Sequence, residues 1–165
     1  MPALHAVLLS LHSIWRWALL AAGLAAVVSA FMGWFGRRPF GKTDRQLGQL
    51  YSVSLDIQVL LGLALWALDE TTGALAAPSL QFFAFVHPFA MVFALGIAHA
   101  GRVLSRRAAR GGPSGAIAEA APGASLPLPG SPGGDDVPAY RYAALFYLAS
   151  LLIILAFIPW DRLAH

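Results

Sequence analysis

Residues 8–35 read LLSLHSIWRWALLAAGLAAVVSAFMGWF, and within them only His12 and Arg16 are ionisable. A helix needs about 17–25 mostly apolar residues to cross the hydrocarbon core of a bilayer. This stretch therefore decides the class of the molecule, and three further runs, 47–68, 80–104 and 142–160, reach the same length. The 165-residue chain is 58% hydrophobic and 12% charged, with a mean hydropathy of +0.67, more apolar than a soluble surface tolerates. The fold class expected is an all-α membrane protein, a four-transmembrane-helix up-down bundle in a single domain. Val28-Ser29-Ala30 has the form of a leader cleavage site, but the first run lacks a basic flank, contains Arg16 and is about twice the usual length of a leader's apolar core. It reads as a retained span.

The placement of charge sets the expected orientation. Arg37, Arg38, Lys42 and Arg45 follow the first span, Arg102, Arg106, Arg107 and Arg110 follow the third, and Arg141 precedes the fourth, nine of the eleven cations. Cytoplasmic loops carry the excess of Lys and Arg, so both termini and the Asp69/Glu70 loop are expected outside. This arrangement, rather than a basic patch, accounts for the net charge of +3, and no nucleic-acid partner is expected. Trp15, Trp17, Trp66 and Trp160 would form the outer aromatic belt, and Trp34, Tyr51, Tyr140 and Tyr142 the inner one. Residues 108–139, rich in Gly, Pro, Ala and Ser, cannot bury enough apolar surface to offset their chain entropy and read as a flexible cytoplasmic linker.

The chain has no cysteine, which excludes disulfides, thioether-linked haem and thiolate-held iron–sulfur clusters. Any cofactor is left to His, Met, Asp or packing. Ionisable groups within spans are costly, so His12, Arg16, Asp56, His87 and His99 are the informative residues. At about 1.5 Å of rise per residue, His12, Arg16 and His87 fall in the outer third, Asp56 near the midplane and His99 in the inner third.

His12 and Arg16 share a helix face that continues inward through Gly23, Ala26 and Ala30, while Ala94 and Ala98 lie beneath His87. Two histidines at one depth, each above a strip of small residues on helices expected to be diagonal neighbours, outline a slot for a planar ring ligated from both sides. That is the requirement of a bis-histidine b-type haem, with Arg16 available to a propionate. His99 is the alternative ligand, but it lies about 18 Å of rise and roughly 120° of rotation from His87, so one haem is the most the pattern accommodates. His12, His87 and Met91 could instead hold Cu(I), which accepts imidazole and thioether ligands.

Asp56, with Gln49 and Ser52 on its face, reads either as a proton path or quinone wall, or as an internal salt bridge to Arg16. Pro88 should kink the third helix just below His87. Ala21, Ala25, Ser29 and Gly33 form a small-residue ridge opposite His12, suited to packing against another membrane subunit.

The set His12-Ser13-x-x-Arg16-Trp17, Asp56-x-Gln58-x-x-x-Gly62, His87-Pro88 and His99-Ala100-Gly101-Arg102 resembles a group of small bacterial four-helix membrane proteins often labelled cytochrome b-like. The similarity covers nearly the whole chain outside residues 108–139, a loop that is usually short and basic in that group. It implies a haem or redox role, residence in the bacterial inner membrane, and functional weight on His12, Arg16, Asp56, Gln58, His87 and His99. The function expected is electron transfer by a b-type haem, linked to quinol and a larger redox complex. A non-catalytic accessory or assembly subunit and a copper-handling protein are the alternatives.

Overall fold

The computed structural model describes residues 2–111 and 136–160. Four long helices make up most of it: α1 (Pro2–Gly36), α2 (Lys42–Thr71), α3 (His87–Gly111) and α4 (Val137–Phe157). No strand occurs among the described residues. All four helical segments are long and apolar enough to cross a membrane, the third taken from Phe82. α1 packs on α2 and α4, and α3 on α2 and α4.

The helices overrun the apolar runs at most ends. α1 starts six residues before the expected span, since nothing in Pro2–Val7 opposes helix and proline is tolerated in a first turn. α4 starts at Val137 rather than at residue 142, with Pro138 in its first turn. The expected linker is correspondingly shorter: residues 108–111 continue α3, Asp136 precedes α4 and 137–139 open it, and residues 112–135 lie outside the described residues.

The backbone adjusts to Pro88 on the opposite side of His87 from the kink expected. Phe82–Val86 form a π-helical turn, and α3 begins at His87. Proline offers no amide to the Ala84 carbonyl, and its ring would clash there in an α-helix. The Trp66 indole donates to that carbonyl instead, at 2.9 Å. In a membrane helix such a freed carbonyl needs a partner of this kind.

Tyrosine rings set into glycine-lined gaps bring the helices together. Gly23 on α1 faces the Tyr51 ring, Gly33 faces Tyr140, and Gly48 on α2 faces Tyr147, each close enough that a Cβ would clash. Tyr51 and Tyr140 are fully buried, so they are core residues and not members of the inner aromatic belt. Tyr51 donates to Ser150 Oγ at 2.8 Å, and Ser150 donates to the Ala94 carbonyl at 2.8 Å, linking α2, α4 and α3 through satisfied polar groups.

At the end of the bundle that carries the arginines, Asp44 is the hub. Its carboxylate accepts from Arg38 at 2.6 and 2.9 Å, from Ser29 and Tyr140 at 2.9 Å each, and from the Gly41 amide at 3.0 Å. Arg37 takes a left-handed conformation, with φ of 48°, at the turn out of α1. The cluster joins α1, the α1–α2 connection, α2 and α4. It also corrects the expected docking ridge: Ala21 and Ala25 are exposed, but Ser29 is committed to Asp44 and Arg38, and Gly33 is covered by Tyr140.

Candidate functional site

α1 and α3 place His12 and His87 against each other across the bundle, with ring centres 6.5 Å apart and planes at 70°. Each ring is oriented by a neighbouring helix. The Gln58 side-chain amide on α2 donates to the His12 carbonyl at 3.1 Å and lies 3.1 Å from His12 Nε2. Because a carbonyl only accepts, the Gln58 atom is the NH2 group, and His12 Nε2 is its acceptor. On the other ring, Nδ1 of His87 lies 2.9 Å from the Phe157 carbonyl at the end of α4. The same reasoning puts the proton on Nδ1 and leaves the Nε2 lone pair of His87 available.

Both histidines line a cavity of about 660 Å³, within the usual range for small-molecule and cofactor sites. Its walls are largely apolar, with Leu19, Val59, Leu65, Trp66, Phe83 and Met91 among them, and its polar lining includes His12, Arg16, Gln58 and His87. His12 Nδ1, Arg16 Nε and Gln58 Oε1 are buried without a hydrogen-bond partner among the described residues. Each is an unsatisfied polar atom on a residue of the cavity wall, which is costly in an apolar surrounding. His5 and Asp69, paired at 3.0 Å between α1 and α2, also line it.

The cavity does not follow the strips of small residues inward. Gly23 is covered by Tyr51 and Leu151, and the Ala94 carbonyl is engaged by Ser150, so the expected slot below the histidines is filled by side chains of α2 and α4. The available space runs instead between the histidine level and the Asp69 end of the bundle.

Asp56 is not paired with Arg16. Its Oδ1 lies 2.9 Å from His99 Nε2, on the seam of α2 and α3, while Arg16 Nε lines up with no acceptor. His99, the alternative ligand, is thereby turned to Asp56 and is not among the residues of the cavity. Ser52 donates back to the Gly48 carbonyl at 2.9 Å and Gln49 is exposed, so these two do not continue a polar path to Asp56. Met91, one turn from His87, is buried and lines the cavity. No group of three or more His, Cys, Asp or Glu among the described residues is arranged to hold a metal ion.

The roles of Asp44, of the tyrosines and of the His5–Asp69 pair escape the sequence reading. Asp44 lies outside the apolar runs, and the glycines that receive the tyrosines are on other helices, far away in sequence. Comparison of the chain with models of protein families, with curated proteins and with solved structures finds no match.

Proposed function

We propose that the chain is a multi-pass membrane redox protein that holds one b-type haem between His12 and His87 and passes electrons to or from a larger membrane complex. The observation that carries this reading is the 6.5 Å between the two imidazole centres at the wall of a cofactor-sized cavity. Imidazole is a suitable haem ligand, and His12 and His87 are the residues that would hold the iron from two helices. His87 fits directly, since its bond to Phe157 leaves Nε2 free. His12 Nε2 would be the ligating atom in place of its contact with Gln58, whose amide has the His12 carbonyl as its other partner. The haem supplies one-electron chemistry when bound. The protein's own part is to orient the two rings, to keep the site apolar, and to offer the Arg16 guanidinium to a propionate.

An up-down order of helices is supported by side-chain pairs, His12 with Gln58 and Ser29 with Asp44 for α1 and α2, and Trp66 with Ala84 and Asp56 with His99 for α2 and α3. With the arginine-rich ends cytoplasmic, both termini and the haem site lie toward the outer face of a bacterial inner membrane. In a Thr72→Cys variant an impermeant thiol reagent should label intact cells, and in an Arg110→Cys variant it should label only opened ones. Labelling of both from the same side contradicts this orientation.

The functional reading is tested by the pigment itself. Protein purified after haem-supplemented expression should give a reduced-minus-oxidised spectrum with b-type bands. A colourless protein overturns it. Copper in that colourless sample would transfer the site to the His12, His87 and Met91 alternative, whose three side chains all line the cavity.

A further inference from the structure

α3 is the least covered of the four helices. In its most apolar stretch 22% of the residues are buried, against 39% in each of the other three. Lipid satisfies an apolar face, so exposure of Phe89, Phe93 and Val103 needs no further partner. Two features of this face do need one.

The first is Gly96. A glycine inside a helix costs roughly 0.5–1 kcal/mol relative to alanine, and it is retained where a neighbour must come close. Gly23, Gly33, Gly48 and Gly101 each abut an aromatic side chain of this chain, and Gly62 abuts His12. A Cβ at Gly96 would meet nothing within 4 Å, and the residue is exposed. The chain's own fold gives no reason for a glycine at that position, whereas the close approach of an external helix does.

The second is the Asp56–His99 pair beside it. At about 100° per residue, His99 lies roughly 60° around α3 from Gly96. The side chains of Asp56 and His99 are 38% and 39% exposed, within spans where polar groups ordinarily face protein or water. The pair uses one carboxylate oxygen and one ring nitrogen, at 2.9 Å. Hydrocarbon strongly favours the pair without net charge, and in that state, whichever atom holds the shared proton, His99 Nδ1–H is a donor and Asp56 Oδ2 an acceptor. One donor and one acceptor on a single patch complement the same patch on an identical chain turned through a two-fold axis.

We infer that α3 is the contact helix of a homodimer. Two copies approach closely at Gly96, flanked by Phe89 and Val103 seven residues to either side, and the Asp56–His99 pair of each closes on that of the other. The occupant of the face is a second copy of this chain, chosen by the self-complementary polar pair. This inference does not rest on the haem reading.

The native chain has no cysteine, so single cysteines report proximity cleanly. Val103→Cys in native membranes should form a disulfide-linked dimer on mild oxidation, while Leu152→Cys, on the exposed side of α4, should remain monomeric. Adding Gly96→Leu, or Asp56→Leu to remove the outward acceptor, should remove the Val103→Cys dimer band, with the amount of protein in the membrane unchanged. The inference is overturned if Val103→Cys stays monomeric, if Leu152→Cys cross-links as strongly, if neither added substitution weakens the band, or if the adduct contains a different polypeptide.

Discussion

Asp44→Ala is expected to lower the stability of the protein in detergent by about 3 kcal/mol, the low end of the range for breaking a buried ion pair. The Asp44 side chain is 4% exposed and accepts from Arg38, Ser29, Tyr140 and the Gly41 amide. Its removal leaves the Gly41 amide and the Ser29 hydroxyl without this acceptor, while the Tyr140 hydroxyl keeps only the Pro39 carbonyl at 3.1 Å. Arg38 is 40% exposed and regains solvent, which is why the low end applies. Asp44→Asn retains the shape and one acceptor oxygen, and should recover part of the loss. Unfolding midpoints of the three proteins measured side by side test this, and an Asp44→Ala protein as stable as the wild type would refute the hub role.

His12→Ala and His87→Ala should each abolish the bound haem, whereas His99→Ala should leave its content and bands near those of the wild type. A haem held without covalent attachment depends on its axial ligands for much of its anchoring, so loss of either leaves a cofactor with one protein ligand in a cavity that is otherwise largely apolar. The two histidines are equivalent in this respect because they face each other at 6.5 Å. His99 is committed to Asp56 and lies outside the cavity. Haem lost from His99→Ala but kept in His87→Ala would move the cofactor to the other half of the bundle. Gln58→Ala separates the positioning of His12 from ligation: the haem should remain bound but with shifted bands or potential, as expected for loss of a neighbour that orients a ligand.

The four long apolar helices were legible from the sequence, because the length of an apolar run and the rise per residue are read directly from it. His12 and His87 were matched by depth and by the small residues beneath them, and their ring centres lie 6.5 Å apart. Rotation about each helix axis was less legible. Nearly every face of these helices is apolar, so nothing in the sequence turns Asp56 toward α3 and His99 instead of toward Arg16. The small residues below the histidines pointed to a close approach but not to what approaches. Gly23 receives Tyr51, from a position that reads equally well as an interfacial tyrosine. The π-helical turn was hidden for a related reason: Pro88 marks the disturbance, but its location depends on Trp66 of another helix supplying the donor to Ala84.

The haem content of the purified wild-type protein bears most directly on the central claim. Haem b quantified as its pyridine complex against protein mass should approach one per chain, matching the one pair of neighbouring histidine rings among the described residues. A chain that folds, resists heat and still takes up no haem when the cofactor is supplied in excess would contradict it, and so would a second haem, for which the structure offers no facing pair of histidines among the described residues.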